Sequence, residues 1–309
     1  MNPADIALIV PTFNGGKTWV RWLEAYARQT LRPKHLLVID SSSQDETATL
    51  ARAYGFKVHT ISQSEFNHGK TRKMAMEILK DANILIYMTQ DAILASPDAI
   101  EKLITPFSES DVGAVYGRQL PRPGADPIEA HLRLFNYPQK SETRTVTDIP
   151  KLGLRAAFIS NSFAAYRRRT LEEIGGFPNH IILGEDMYVS AKMLLAGWKL
   201  VYQAEAQVYH SHNYTLWQEF KRYFDIGVFH AREPWILEKF GKAEGEGLRY
   251  VRSELAFLLK KKPMHIPKAL IRLPIKYIAY KLGNLEAFLP KFLKQHLSMH
   301  PHFWNLQEN

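Results

Sequence analysis

The chain has 309 residues, room for one large domain or two ordinary ones. Hydrophobic residues make up 46% and charged residues 23%, which excludes a disordered chain, and the absence of cysteine excludes disulfides, thiolate metal sites and a Cys nucleophile. The net charge of +9 is uneven: residues 260–309 hold nine Lys/Arg against two Glu, and the first 259 hold 31 basic against 29 acidic side chains. Basicity is therefore a property of the C-terminal segment, and no nucleic-acid partner is expected. Met1-Asn2-Pro3-Ala4-Asp5 lacks the basic region of a signal peptide, and no run of about 18 apolar residues predicts a spanning helix.

In chain order, Ile6–Val10 reads as a buried strand that ends at a turn cluster, Pro11-Thr12-Phe13-Asn14-Gly15-Gly16. Trp19, Trp22, Leu23 and Tyr26 mark a helix over 17–30. A second strand, 35–40, stops at Asp40 and a serine run. Asp45-Glu46 opens a helix to about Tyr54. A strand at 56–61, a helix at 70–80, a strand at 84–89 closed by Gln90-Asp91-Ala92, a helix near 97–107 and a strand at 112–117 follow. The alternation predicts an α/β fold with a mostly parallel central sheet flanked by helices. In such sheets ligands lie beyond the carboxyl ends of the strands, so Pro11, Thr12, Asp40, Gln90 and Asp91 are expected to cluster.

The proline-rich segment 120–155 suggests a loop or flap. A strand over 156–166 and a short helix over 169–175 come next. Gly184-Glu185-Asp186 precedes a helix that ends at Gly197. A strand at 198–203 leads to His210-Ser211-His212, and the pattern is helical from about 215. Residues 1–235 are expected to form the catalytic unit and 236–309 a basic helical extension. Within the extension, 269–282 and the Leu285-Phe288-Leu289-Phe292-Leu293 spacing suit either an amphipathic helix on an anionic membrane or a hairpin packed on the core with lysines in water.

Several segments together carry a family resemblance. Ile9-Val10-Pro11-Thr12-Phe13-Asn14, Val38-Ile39-Asp40-Ser41-Ser42-Ser43-Gln44-Asp45 and Gly184-Glu185-Asp186 resemble the family 2 glycosyltransferases. Phe66-Asn67-His68-Gly69-Lys70-Thr71-Arg72, Thr89-Gln90-Asp91-Ala92, Ile159-Ser160-Asn161, Ala165-Tyr166-Arg167-Arg168 and Arg222-Tyr223-Phe224-Asp225-Ile226-Gly227 resemble its bacterial rhamnosyltransferase branch. The resemblance spans residues 5 to about 235. It implies a GT-A fold, a nucleotide-sugar donor, a divalent metal (Mg²⁺ or Mn²⁺) and inversion at the anomeric carbon.

Carried onto matching positions, the resemblance puts Pro11, Thr12, Asn14, Asp40, Gln90 and Arg72 on the nucleotide. His68 is a further candidate there; a satisfied structural histidine is the plain reading. Ser41 departs from the family's second acid. Thr89 replaces the first acid of the usual Asp-x-Asp metal motif, leaving Asp91, and one carboxylate suffices when a diphosphate completes the shell. Asp186 matches the general base, and Glu185 tunes it or positions the acceptor; ordinary capping is the plain reading of both. His210 and His212 stand at i and i+2, so an extended chain turns both toward one ion or phosphate. With no HExxH, a zinc hydrolase has little support. Ser160 and Asn161 are candidate acceptor contacts. Arg167-Arg168-Arg169 reads as a solvated charge run or as contacts to acceptor phosphates, and Asp225 as a partner of Arg222.

The expectation is an inverting enzyme moving L-rhamnose from dTDP-β-L-rhamnose to a polyprenyl-diphosphate-linked saccharide in cell-surface polysaccharide (O-antigen) synthesis. It would be cytoplasmic and peripheral at the inner face of the membrane, held on an anionic surface by the basic C-terminal region. A UDP-hexose or other donor, or a non-enzymatic membrane- or nucleic-acid-binding protein, are the alternatives.

Overall fold

The computed structural model describes residues 2–241 and 246–305; Met1 and residues 306–309 of the expected basic extension lie outside the described residues. The first half alternates strand and helix: β1 (Ile6–Thr12), α1 (Gly16–Ala27), β2 (His35–Asp40), α2 (Thr47–Ala53), β3 (Lys57–Thr60), α3 (His68–Ile78), β4 (Ile84–Met88), β5 (Ile93–Leu94), α4 (Ala99–Ile104) and β6 (Val112–Leu120). Then come α5 (Pro127–Asn136), β7 (Glu142–Arg144), α6 (Ile149–Leu152), β8 (Phe163–Arg167), α7 (Arg168–Glu173), α8 (Glu185–Leu195), β9 (Lys199–Tyr209), α9 (Leu216–Arg232) and α10 (Pro234–Phe240). The C-terminal helices are α11 (Glu246–Lys261), α12 (Ile266–Asn284) and α13 (Lys291–Leu297).

The strands form one sheet in the order β3-β2-β1-β4-β8-β6-β9-β5, with β7 on β9. β3-β2-β1-β4 is wholly parallel, and β6–β9 is the other long parallel ladder. β8 runs antiparallel between β4 and β6, and β5 and β7 run antiparallel to β9, so the sheet's second half is mixed. The apolar runs are continuous because both faces are covered. From β1, Ile6, Leu8 and Val10 join a core with Trp19 and Trp22, while Ala7 and Ile9 join the opposite core. Pro11 has no N–H for a ladder; the pairing of β1 with β4 has already stopped at Ile9, and that with β2 runs on to Asp40. The neighbouring strand ends therefore share one edge.

Several expectations are corrected. The proline-rich segment 120–155 contains a ten-residue helix, α5. Asp126 accepts from the Ile128 N–H, and Pro127 sits in the first turn, where its missing N–H costs nothing. The strand expected over 156–166 is shorter, since Gly153–Ala157 makes a 3₁₀ turn, and the strand after Trp198 runs on to Tyr209. The Leu285–Leu293 repeat is not one helix: a 3₁₀ turn, Glu286–Phe288, is followed by Pro290, which starts α13. The three arginines are not a run free in solvent, although Arg169 is exposed. Arg167 donates to the Val112 and Phe107 carbonyls, Arg168 to those of Ala82 and Met76, and Arg169 to that of Ser110. They clamp loop ends that the sheet leaves without partners. Asp225 is fully buried and accepts from the Met299 N–H instead of pairing with Arg222.

The C-terminal helices share a core with what precedes them: Phe224 and Val228 of α9 pack in one cluster with Ala279, Phe303 and Trp304. α9 and α12 approach closely through Gly227 and Gly283. A Cβ on Gly283 would lie 2.0 Å from the Phe224 carbonyl oxygen, and one on Gly227 would lie 2.2 Å from that of Tyr280.

Candidate active site

Three groups of side chains meet along the carboxyl edge. At the first, Asp40 ends β2 and is buried. It accepts from Thr12 Oγ1 at 2.9 Å, Ser43 Oγ at 2.6 Å and the Ser43 N–H at 2.9 Å. Asn14, at φ 43°, takes its N–H to Ser43 Oγ and accepts from the Gln44 N–H. Pro11 is half-buried on the same strand end. Gln90 gives both ends of its amide to Phe13, accepting from its N–H at 3.0 Å and donating to its carbonyl at 2.9 Å. The loop after β1 is thereby tied to the loop that carries Asp91.

At the second, Asp91 meets His210 and His212 from the end of β9. Asp91 Oδ2 lies 3.4 Å from His210 Nε2, 3.7 Å from His212 Nε2 and 3.4 Å from Arg122 Nη2. Burial opposes ionisation of Asp91, but at acid pH, where the facing rings of His210 and His212 carry protons, their attraction outweighs it and holds the carboxyl well below its ordinary range. Burial keeps both imidazoles neutral, that of His212 being pushed down to about 3. An open cavity of about 350 Å³ adjoins this group, lined by Arg122, Gly124, Ser211, His212, Tyr214 and Gln218.

One candidate ligand atom from each of Asp91, His210 and His212 lies within 4.8 Å of the others. An ionised carboxylate and two neutral imidazoles are each in the ligating form, so the set fits a divalent ion. The orientation of His210 is fixed from behind. Arg133 Nη1 donates to Gln119 Oε1 at 2.9 Å, and an arginine can only donate, so the amide oxygen must point there. That oxygen also stands 2.8 Å from His210 Nδ1, which must then carry the proton. The lone pair is left on Nε2, facing Asp91.

At the third, α8 begins after Gly184, which adopts φ 81°. Burial, then the charge of Glu185, pushes the Asp186 carboxyl up to about 7, although it accepts from the Met187 N–H at 2.8 Å and the Asn161 N–H at 3.3 Å. Glu185 is buried and is held below its ordinary range: burial works against that, and Arg72 at 3.1 Å, His68 and the Asn161 amide at 2.8 Å prevail. Tyr166 Oη donates to Asn161 Oδ1 at 2.7 Å. His68 is pushed down to about 4 by burial and packs edge-on against His300. Two neighbouring carboxyls are thus shifted in opposite directions because Glu185 pairs directly with Arg72, whose charge only partly offsets the burial of Asp186.

The groups are joined. Gln119 Nε2 donates to Ser160 Oγ at 2.8 Å, and Asn161 follows Ser160. The contacts run from Asp40 through Thr12, Phe13, Gln90, Asp91, His210, Gln119, Ser160 and Asn161 to Asp186, Glu185 and Arg72. Arg72 stands with Glu185, at the far end of this wall from Asp40. Gln119, Arg122 and Arg133 were missed in the sequence. The one available signal was the polar pair Arg118-Gln119 closing an otherwise apolar strand, both buried.

The sheet topology is that of a GT-A glycosyltransferase, and the Asp91–His210–His212 cluster and Asp186 lie along its carboxyl edge. Residues 3–224 match the family described as "Glycosyltransferase like family 2". The chain is 50% identical over 301 residues to the O-antigen chain rhamnosyltransferase RfbN of Salmonella typhimurium, covering 97% of this chain and 96% of that one. It is 48% identical over 302 residues to the O-antigen chain rhamnosyltransferase WbaN of Salmonella anatum, with the same coverage. The mannosyltransferase PcManGT from Pyrobaculum calidifontis, solved with GDP-Man and Mn²⁺, has the same fold: TM-score 0.63 at 16% identity, covering 91% of this chain and 87% of that one. The chain belongs to glycosyltransferase family 2.

Proposed function

We propose that this glycosyltransferase moves L-rhamnose from dTDP-β-L-rhamnose to a hydroxyl of a polyprenyl-diphosphate-linked saccharide in O-antigen synthesis, at the inner face of the cytoplasmic membrane. Near-full-length identity to the two O-antigen rhamnosyltransferases supports the sugar and the process. The observation that carries the mechanism is the single wall joining the Asp91–His210–His212 cluster to Asp186.

Asp186 accepts the proton of the acceptor hydroxyl. Its raised pKa makes it an effective base near neutral pH. The acceptor oxygen forms its bond to the anomeric carbon as the bond to the diphosphate oxygen breaks on the opposite face, which inverts the centre. Glu185, kept ionised by Arg72, raises Asp186, and Asn161 orients both carboxyls. Pro11, Thr12, Asn14 and Asp40 form the nucleotide side; Asp40 acts there by orienting the hydroxyls of Thr12 and Ser43. Asp91, His210 and His212 would hold a divalent ion, which would neutralise charge on the leaving diphosphate. Two imidazoles beside one carboxylate favour Mn²⁺ over Mg²⁺. Arg122 lies at the same end and adds a cation.

Nucleotide sugars screened for transfer and hydrolysis, with Mn²⁺, with Mg²⁺ and with chelator, test this reading. Turnover of dTDP-rhamnose that is lost with chelator and restored best by Mn²⁺ is expected. Turnover of UDP-hexoses in preference to dTDP-rhamnose would overturn the donor assignment.

A further inference from the structure

Helix α12 faces the wrong way for a protein surrounded by water. At about 100° per residue, Leu270, Ile271, Tyr277, Ile278, Lys281 and Leu285 fall within a stripe about 120° wide, and all are exposed. The opposite side is buried and carries charge. Arg272 lies 2.5 Å from Glu219 and 3.3 Å from Glu129, and Lys276 lies 3.3 Å from Glu219. So two cations of this helix, Arg272 and Lys276, point into the protein while its large aliphatic side chains share the outer face with Lys281. Past the helix end Phe288, 84% exposed, and Phe292, 67% exposed, add two large aromatic side chains to the surface of this segment. Large apolar groups are ordinarily scattered singly over a surface; a continuous stripe marks a docking face.

Charge identifies the occupant. Lys268 and Lys281 are exposed on α12 and Lys291 at the start of α13, and Lys260, Lys261 and Lys262 are exposed at or just past the end of α11, ahead of α12 in the chain. The carboxylates of residues 247–305, Glu254 and Glu286, are both buried. A face with cations and, among the described side chains, no exposed carboxylate repels a second copy of itself and complements an anionic surface. Among the described residues no helix is long and apolar enough to cross a membrane. Apolar groups that enter the acyl boundary beneath a basic rim are what an interfacial helix presents to lipid.

We infer that the outer face of α12, with Phe288 and Phe292, seats the enzyme on an anionic phospholipid surface, its aromatic and aliphatic side chains entering the interface and its lysines meeting the headgroups. This deepens the reading of a lipid-linked acceptor, and vesicle binding measured without donor or acceptor tests it separately. Full-length protein is sedimented with phosphatidylglycerol/phosphatidylethanolamine vesicles and with phosphatidylcholine vesicles, and its mass in solution is followed by light scattering. Binding to the anionic vesicles that weakens with salt is expected. The exposed double substitution Phe288→Ser/Phe292→Ser should lower the partition coefficient by on the order of tenfold or more, with dTDP affinity unchanged. Lys260→Glu/Lys261→Glu/Lys262→Glu should remove the preference for anionic lipid. Equal, weak sedimentation with both vesicle types would overturn the inference. So would undiminished binding by the aromatic variant, or self-association of the native protein that this variant abolishes.

Discussion

Replacing Gln119 isolates the metal end of the site from the base. Its amide oxygen accepts from Arg133 at 2.9 Å and meets His210 Nδ1 at 2.8 Å, while its nitrogen donates to Ser160 at 2.8 Å. Gln119→Leu keeps the volume roughly constant and removes all three. His210 is then free to turn or to change tautomer, which presents N–H in place of a lone pair to the ion. Loss of such a supporting partner costs roughly 10–100-fold in metal affinity, about 1.4–2.8 kcal/mol at 1.4 kcal/mol per decade. The buried donors left on Arg133 and His210 would separately cost about 1–3 kcal/mol of stability each. Gln119→Glu keeps the acceptor for both and adds charge attraction to Arg133, so Mn²⁺ should bind it at least as tightly as the native protein. Calorimetric titration of Mn²⁺ into each variant at saturating dTDP measures this, and thermal unfolding reports the stability cost. If Gln119→Leu bound Mn²⁺ with native affinity, or if Gln119→Glu were as weak as Gln119→Leu, the reasoning about the tautomer would be wrong.

Further outcomes follow from the base and from the helix pair. Asp186→Asn should abolish transfer while dTDP and Mn²⁺ affinities persist; full activity in that variant would remove Asp186 from the mechanism. In the native enzyme kcat/KM should rise with pH through about 7 as Asp186 ionises. Asp186 and Asp225 contribute a fall in folding stability between roughly pH 4 and 7, because the folded state holds protons on them that the unfolded chain has released, against a rise from buried histidines such as His68 and His212, which take up protons only on unfolding. Asp225→Asn should flatten that fall, read from denaturant midpoints across the range. Gly283→Ala would place a methyl 2.0 Å from the Phe224 carbonyl oxygen, a backbone atom that cannot rotate away. It should cost about 1–3 kcal/mol despite the better helix propensity of alanine, and a raised melting temperature would show that α9 and α12 can part without loss.

The sequence by itself determined the strand–helix alternation through β4 and the edge on which the site lies. Strands covered on both faces must be apolar along their whole length, so Ile6–Val10 and Ile84–Met88 are legible as runs, and their ends fall at Pro11 and at Gln90-Asp91. It also carried Asp91, His210, His212 and Asp186 as candidates, because strand ends and helix starts are marked locally and the motif spacing is one-dimensional. Pairings across many residues leave no such mark. That Arg72 holds Glu185, that Gln119 sets the proton on His210, that Arg167, Arg168 and Arg169 clamp backbone carbonyls, and that α12 turns Arg272 and Lys276 inward were decided only by tertiary structure. A charged side chain reads the same in a sequence whether water or a buried carboxylate receives it, and only the packing of distant segments chooses between them.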